Sequence, residues 1–286
     1  ALPRFHDDTV PRCCELGEKR VDEGTLTIID NRSEFDVSWD CFTESQLRFL
    51  DWSNVLAAGG SVAACLAPLP PALQKCKGVA ETRRKRRAFF HDEAYPASDV
   101  DLFLYGLTAA EAEEKLKQIY DAVQAANPYE VMCFRSAHAI SLVSRYPFRH
   151  VQIVLRLYNS PAEVLMGFDV DACACGYDGH QVYVCPRTAL AFSSQANRVD
   201  LSRRSPSYEM RLSKYAARGF EVRVPELRRS AVDPFLYEKR FDQTQGLARL
   251  LLLEKLNTPE ARFQYQMQQK LKKAVGYEKY RLQRMI

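Results

Sequence analysis

An alternating run of acidic and apolar residues between Ser98 and Gly106 constrains the fold more than any other stretch of the chain. Side chains along a β-strand point alternately to opposite faces of a sheet, so Asp99 and Asp101 share one face. The residues on the other face, toward a core, are Val100, Leu102 and Leu104. Two neighbouring carboxylates repel each other unless a cation lies between them, and oxygen ligands suit Mg²⁺. The run predicts a strand with a metal-binding face. The alternative is a strand whose solvent side carries two acids by chance.

A second stretch, from Asn54 to Leu66, has the pattern of a short buried strand, a Gly-Gly-Ser turn and the start of a helix. Glycine lets the backbone approach a ligand closely, and the first N–H groups of a helix are free to bind phosphate. The order of turn, helix and Asp-x-Asp strand resembles the signature of the polymerase-β-like nucleotidyltransferase superfamily. The resemblance extends from about Leu47 to Tyr158.

The resemblance implies a nucleotide site at the turn and a metal site on the acidic strand. The residues expected to hold the nucleotide are Gly59, Gly60, Ser61 and Ser98. Asp99 and Asp101 are expected to bind two Mg²⁺ ions, which activate an acceptor hydroxyl and stabilise the leaving pyrophosphate. The implied activity is Mg²⁺-dependent transfer of a nucleoside monophosphate from an NTP to an acceptor that the sequence does not identify.

The third metal-binding carboxylate of that superfamily has no direct counterpart here. It is usually carried by a strand like the one at 150–158, where the natural position holds the uncharged Gln152. The nearest donors are Asp169 and Asp171, which we predict to share the face of a strand after the helix at 160–166. We expect both to be metal ligands, with Asp169 as the third catalytic carboxylate.

The chain also departs from the superfamily by an insertion at about 68–95, because 37 residues separate Ser61 from Asp99. The insertion contains an uninterrupted basic run, Arg83, Arg84, Lys85, Arg86 and Arg87. One interpretation of this run is a solvated loop. The other is a contact with the phosphates of a nucleotide or RNA, or with a partner protein.

Composition narrows the classes of protein to consider. A net charge of +4 over 286 residues argues against a DNA-coating protein, although local basic patches remain open. No apolar run approaches the roughly 20 residues that span a bilayer, and no signal peptide is evident at the start. The nine cysteines lack a C-x-x-C pair, which favours free thiols such as Cys65, Cys133, Cys173 and Cys175. We therefore expect an intracellular, reducing compartment, either cytoplasm or an organelle matrix.

The element pattern predicts an α/β (α+β) fold in which a nucleotidyltransferase-like mixed sheet is flanked by helices and followed by a mainly helical C-terminal region. The predicted divisions are a loop-rich arm at 1–40, the core at 41–186 and the helical region at 187–286. In the resembled superfamily a helical subdomain often completes the nucleotide cleft. By that analogy Arg211 and Lys214 are expected to contact phosphate.

Two functions stay open at this point. The first is an active nucleotidyltransferase. The second is a catalytically silent nucleotidyltransferase fold that serves as a structural or interaction subunit of a larger assembly, for example one that contains RNA or a mitochondrial one. Gln152, the insertion and the long helical tail favour the second function, whereas the turn and the paired acids favour the first.

Overall fold

A computed structural model describes residues 2–5, 12–13, 20–74, 78–256 and 258–283 of the chain. These residues divide between two compact units. The first unit lies within 1–6, 21–196 and 200–204, and the second within 7–20, 197–199 and 205–286. Part of the predicted arm at 1–40, and residues 75–77 of the predicted insertion, lie outside the described residues.

The described residues form ten strands and ten α-helices. In chain order the strands are β1 (Arg12–Cys13), β2 (Val55–Ala58), β3 (Val100–Tyr105), β4 (Met132–Arg135), β5 (Ala139–Val143), β6 (Val151–Tyr158), β7 (Cys175–Tyr177), β8 (Val182–Val184), β9 (Ala196–Arg198) and β10 (Glu221–Arg223). The helices are α1 (Arg32–Thr43), α2 (Gly60–Leu66), α3 (Pro71–Gln74), α4 (Val79–Ala88), α5 (Ala109–Ala126), α6 (Pro161–Met166), α7 (Pro186–Ser194), α8 (Tyr208–Ala216), α9 (Leu247–Lys255) and α10 (Pro259–Gln283).

The first unit contains a seven-stranded mixed sheet with the order β4-β5-β6-β3-β2-β7-β8. The strands β3 and β6 run parallel, and the other neighbouring pairs run antiparallel. Helices flank this sheet, and a mainly helical region follows it along the chain. The predicted α/β class is therefore confirmed.

One face of the sheet is an apolar core, as the alternation in β3 predicts. Val100 and Leu102 are fully buried and Leu104 retains 2% exposure. Toward the β7–β8 end of the sheet this face is aromatic, because the rings of Phe35 and Trp39 on α1 pack against Tyr177. Burial of these side chains removes apolar surface from water, which fixes the register of β3 and leaves its acids on the other face.

The opposite face of β2 and β3 is covered in part by α6. Val164 and Leu165 of this helix form a buried cluster with Leu56, Ala58 and Phe103. The sequence encodes α6 directly, because the Ser160 hydroxyl accepts a hydrogen bond from the Glu163 N–H and Pro161 occupies the first turn. The face that carries Asp101 is thus apolar toward the end of β3 and polar at its beginning.

The longest helix of the first unit, α5, follows the acidic strand. The Thr-x-x-Glu sequence at its N-terminus forms a capping box between Thr108 and Glu111, and Ala112, Ile119 and Val123 are buried. The strands β4, β5 and β6 follow, and β6 corresponds to the predicted strand at 150–158. A tight turn at Asp178 and Gly179 joins β7 to β8.

The second unit contains a three-stranded sheet with the order β1-β10-β9 and the helices α8, α9 and α10. Its buried side chains include Tyr208 and Leu212 on α8 and Leu250 on α9. The carboxylate of Glu221 on β10 pairs with Arg20. Among the residues described, we find no helix with the length and apolar character that crossing a membrane requires.

Two sequence-based expectations need correction. The arm at 1–40 is not wholly loop-like, because α1 begins at Arg32 after an N-cap formed by the Asn31 side chain. The insertion at 68–95 is largely helical where it is described. It contains α3, α4 and a π-helical stretch at Phe89–Ala94 that continues α4.

Candidate functional site

The two acids of the alternating run lie at the beginning of β3. Asp101 is half-buried, whereas the Asp99 side chain is 46% exposed. The ring of His150, just before β6, approaches Asp99 with 3.9 Å between Nδ1 and Oδ1. Asp101 lies on the face opposite the Val100 core, in register with Ala58 and Gln152, and Asp99 lies just before β3.

The Gly-Gly-Ser turn lies beside the acidic strand. In the antiparallel pairing of β2 with β3, Asp101 is directly opposite Ala58, the residue that precedes the turn. Gly59 has φ of +90°, which an L side chain rarely adopts, and its N–H donates to the Cys175 carbonyl at 3.0 Å. A Cβ on Gly59 would lie 3.0 Å from the ring of Phe168. The turn is therefore next to the acids, and an aromatic ring contacts it.

Ser61 follows at the start of α2 and is 1% exposed. Its hydroxyl is buried and has no hydrogen-bond partner among the residues that the structure describes. A buried hydroxyl without a partner costs free energy, so it calls for an explanation. Such a hydroxyl is suited to accept or donate a hydrogen bond to a ligand, but a ligand reaches it only after a neighbouring side chain moves.

The register of β6 fixes the position of Gln152, where the superfamily resemblance implies a third carboxylate. Gln152 is directly beside Asp101 in the parallel pairing of β3 and β6. Its Nε2 is 3.4 Å from the Ser141 hydroxyl oxygen on β5, the next strand. The side chains that follow Asp101 in this direction are thus a neutral amide and a hydroxyl, and neither supplies a negative charge.

Asp169 and Asp171 do not share a strand face, contrary to the prediction. Asp169 lies in a bend after α6 and is 7% exposed, and Asp171 begins a 3₁₀-helical turn that ends at Cys173. The Asp171 carboxylate pairs with Arg187 at 3.0 Å, which ties the turn to α7. The strand prediction failed because the alternation is only three residues long and the chain turns at Val170 before β7 begins.

No group of three or more His, Cys, Asp or Glu side chains is positioned to hold a metal ion in the described parts of the chain. The oxygen donors that lie together are the carboxylates of Asp99 and Asp101 and the amide of Gln152. Mg²⁺ commonly binds through one or two carboxylates together with substrate phosphates. This donor set fits one Mg²⁺ that arrives with a triphosphate. The second ion that the resemblance implies would need one more carboxylate near Asp101.

Arg149 is a structural centre of this region that sequence reasoning missed. Its buried guanidinium lies over the Phe42 ring at 3.9 Å and donates to four backbone carbonyls. These carbonyls belong to Phe42, Phe90, Tyr95 and Ser98, at 2.7–2.8 Å. Ser98, predicted to bind nucleotide, is 7% exposed, and its carbonyl serves this network. Arg149 therefore anchors the chain immediately before Asp99.

The basic run at 83–87 lies on α4, not in a loop. Arg87 binds the buried carboxylate of Glu44, with 2.6 Å between Nε and Oε1, and Lys85 pairs with Glu81. Burial raises the pKa of Glu44, but hydrogen bonds from His91 and Arg87 outweigh it and the net pKa is lowered. Arg83 and Arg84 are the exposed members of the run. Arg87 thus supports the fold through Glu44 while its side chain stays 44% exposed, and its contact with phosphate or a partner stays a prediction.

The remaining residues named from the sequence are two basic side chains and the cysteines. Arg211 and Lys214 lie on α8 in the second unit, and Arg211 donates to the Ser205 hydroxyl. Their assignment to phosphate stays a prediction. The cysteines Cys41, Cys65, Cys173 and Cys175 are buried free thiols, whereas Cys133 is exposed, contrary to the expectation of burial.

Comparison with known proteins gives a family for the region that contains the acids, the turn and Gln152. Residues 31–195, more than half of the chain, match the model of the Gabija anti-defense 2 family. The chain belongs to this family. The matched region begins with α1 and ends after α7, so it lies within the first unit.

A viral protein is similar to part of the chain. The chain is 32% identical over 155 residues to an uncharacterised protein of Acanthamoeba polyphaga mimivirus. The matched segment is 48% of this chain and 34% of the viral protein. The chain thus spans about a third of that relative.

Proposed function

We propose that the first unit binds a nucleoside triphosphate with Mg²⁺ and transfers a nucleoside monophosphate to an acceptor. The single observation that carries this proposal is the register of β2 and β3. It puts Asp101 opposite Ala58, so the Gly59-Gly60-Ser61 turn begins beside the acid pair. A glycine turn beside paired carboxylates provides a place for phosphates next to a place for their metal ion.

In this proposal the turn binds the β- and γ-phosphates, and Asp99 and Asp101 hold Mg²⁺. The ion supplies charge neutralisation for the triphosphate and for the leaving pyrophosphate. The buried hydroxyl of Ser61 gains a hydrogen-bond partner when phosphate binds. Because Phe168 contacts the turn, its ring must move aside for the phosphates to enter.

The family description supplies the biological setting of the proposal. We infer that the chain counteracts a Gabija defence system and does so inside the host cell, in a reducing compartment. The free thiols of the first unit are consistent with that compartment. The exposed Arg83 and Arg84 on α4 are candidates for contacts with RNA or with a partner protein.

Isothermal titration calorimetry with each of the four ribonucleoside triphosphates, in Mg²⁺ and in EDTA, tests the nucleotide site. We expect binding that needs Mg²⁺ and is lost in Asp99→Ala/Asp101→Ala. The matched control is Glu113→Ala/Asp121→Ala, which removes the same charge from exposed positions on α5. Absence of binding in the folded wild-type chain, or equal binding in the two double variants, would contradict the proposal.

A second function is favoured by Gln152, since a neutral residue beside Asp101 leaves the metal site one charge short. In this alternative the nucleotidyltransferase-like unit is catalytically silent and acts by binding a component of the defence system. Suppression of Gabija defence in cells that express Asp99→Ala/Asp101→Ala separates the two. Retained suppression supports the silent function, and lost suppression with normal protein levels supports the enzyme.

A further inference from the structure

The acid-bearing face of the sheet continues past β3 to the edge strand β4. Asp101 is registered with Gln152 on β6, Gln152 with Ser141 on β5, and Ser141 with Phe134 on β4. Residues in direct register point to the same side of a sheet. Phe134 therefore lies on the same face as Asp101, three strands away.

A second row of side chains runs beside the first. Met132 on β4 is registered with Val143 on β5, and His150 before β6 contacts Asp99. We call the β4–β6 part of both rows the open shelf. Its members are Met132, Phe134, Ser141, Val143, His150 and Gln152.

The outer end of the open shelf is apolar and accessible. Met132 is 51% exposed and Phe134 is 55% exposed, and all four residues of β4 are exposed. Two large apolar side chains next to each other on an edge strand are unusual, because natural edges are commonly protected by charge. Such a patch beside a polar site indicates a binding surface.

The charge of the open shelf favours protein over nucleic acid as the bound partner. None of the open-shelf side chains is Lys or Arg, and the two acids at its inner end are negative. Binding to nucleic acid depends on Lys and Arg contacts to phosphates. An uncharged polypeptide segment needs no such contacts, and its apolar side chains match Met132 and Phe134.

The geometry of phosphoryl transfer indicates that the acceptor binds on the β6 side of β3, where the open shelf lies. The attacking and leaving oxygens lie roughly in line on opposite sides of phosphorus. In the sheet, β2 with its turn and β6 with Gln152 flank β3 on opposite sides. If the leaving pyrophosphate is bound at the turn, the attacking oxygen comes from the β6 side, over the open shelf.

We propose that the open shelf binds the acceptor, and that the acceptor is a protein segment with a hydroxyl side chain flanked by uncharged, apolar residues. This inference rests on the proposed nucleotidyl transfer. The hydroxyl oxygen forms a bond to the α-phosphorus, and the bond from that phosphorus to the β-phosphate oxygen breaks. Pyrophosphate leaves, and the hydroxyl proton passes to water at the exposed side of the shelf.

The test measures transfer of label from α-³²P-labelled NTPs by the full chain in Mg²⁺. The acceptor probes are the purified proteins of the Gabija system, synthetic peptides with a central Tyr, Ser or Thr, and short RNA oligonucleotides with a free 3′-hydroxyl. Each peptide is made with apolar flanks and with charged flanks. Calorimetric NTP binding is measured on the same protein preparations.

The decisive variant is Met132→Asp/Phe134→Asp. We expect it to bind NTP normally and to label apolar-flanked protein or peptide about tenfold less, since aromatic anchors often carry that much affinity. Phe134→Leu should keep most of the transfer. The matched control is Phe49→Asp/Leu190→Asp, whose side chains are 58% and 57% exposed, and it should behave as wild type.

Three results would overturn the assignment of the shelf: labelling of RNA but not of peptide or protein, equal transfer by the decisive variant, and no labelled acceptor in any class despite Mg²⁺-dependent NTP binding. Absence of Mg²⁺-dependent NTP binding in the wild-type chain would be a different result. It refutes the proposed nucleotide site first, and the acceptor assignment with it.

Discussion

The two flanks of the acid pair are built in opposite ways. On the β2 flank, Ala58 is fully buried, Ser61 is 1% exposed and the Phe168 ring contacts the glycine turn. On the β6 flank Gln152 and Ser141 are half-buried, whereas Met132 and Phe134 on β4 are about half exposed. One flank is packed like a core, and the other is open to partners.

Because of this difference, the two flanks differ in whether a ligand can bind without movement of the protein. In the proposed function, phosphates reach the packed flank only when Phe168 moves, so their binding would be coupled to a rearrangement. A ligand on the open shelf needs no such movement. Substitutions on the packed flank should therefore act on stability, whereas substitutions on the open shelf should act on partner binding.

The largest expected effect comes from substituting Arg149, which anchors the start of β3 between the two flanks. Arg149→Met removes the guanidinium donors from four backbone carbonyls, of which that of Tyr95 still accepts from the Ser98 N–H, and should lower the free energy of unfolding by about 3–5 kcal/mol. Arg149→Lys should recover little, because an ammonium cannot reproduce the planar fork of donors. Urea titration monitored by circular dichroism measures both variants.

The control for Arg149 is Arg145→Met. Arg145 is exposed and lies 5.5 Å from the Tyr129 ring centroid, so we expect a change within about 1 kcal/mol. If Arg149→Met were as mild as this control, the four carbonyls would not be a source of stability. The beginning of β3 would then depend on the packing of the sheet alone.

The next largest effect on stability is expected for a substitution in the glycine turn of the packed flank. Gly59→Ala should destabilise the chain by about 1–3 kcal/mol, because φ is +90° and the new methyl group would lie 3.0 Å from Phe168. Gly24→Ala is the matched control, since φ is +81° there and no atom lies within 4 Å of the added Cβ. The difference between their melting temperatures reports the contact with Phe168.

A double variant completes the test of this contact. Gly59→Ala/Phe168→Leu should be less destabilised than the sum of its parts, because the smaller side chain relieves the clash. Additive effects would mean that Phe168 does not restrict the turn. Contacts other than that with Phe168 would then keep the β2 flank closed.

Strongly periodic elements of the first unit could be predicted from the sequence. The alternation in β3 and the capping box of α5 are local signals, and both describe the structure correctly. The register that aligns Asp101 with Gln152 was also within reach, because the strand at 150–158 could be compared with the resembled superfamily. These features are encoded within a few neighbouring residues.

The errors fall where distant contacts decide the structure. The arm predicted at 1–40 contains the start of α1, which ends at Thr43 before a left-handed conformation at Glu44. The solvated loop that is one interpretation of the basic run is a helix, in which Arg87 pairs with Glu44, 43 residues away. Likewise, no sequence pattern marks Arg149, because its four partners come from separate segments.

A smaller effect tests whether the β6 flank can hold a metal ion. Gln152→Asp adds a carboxylate beside Asp101 and should lower stability in EDTA by about 0.5 kcal/mol, since like charges in register repel. Mg²⁺ should reverse the loss and raise the melting temperature above that of wild type in Mg²⁺. Differential scanning fluorimetry with and without Mg²⁺ measures this.

The control for the added acid is Gln118→Asp on the exposed surface of α5, which should show no response to Mg²⁺. A response in Gln152→Asp alone, together with tighter NTP binding, would indicate that the natural amide limits metal affinity. Equal behaviour of the two variants would show that the acid pair is not a metal site, and would favour the silent function.

The smallest expected effect concerns the loop that leads into β2. A hydrogen bond from the Lys115 ammonium, 2.9 Å from Asp51 Oδ2, is the main reason that the pKa of Asp51 falls to about 2 from its usual 3.8. A carboxyl with a lowered folded-state pKa stabilises the fold above pH 3.8, and this contribution disappears as the pH falls through 2. Because the Asp51 side chain is 63% exposed, we expect the effect to stay below about 0.5 kcal/mol. Asp51→Asn should flatten the loss of stability between pH 4 and 2 in acid titrations of unfolding, whereas Asp121→Asn should not. An unchanged slope in Asp51→Asn would mean that solvent screens the pair completely. In that case the packed flank would owe its stability to apolar contacts alone.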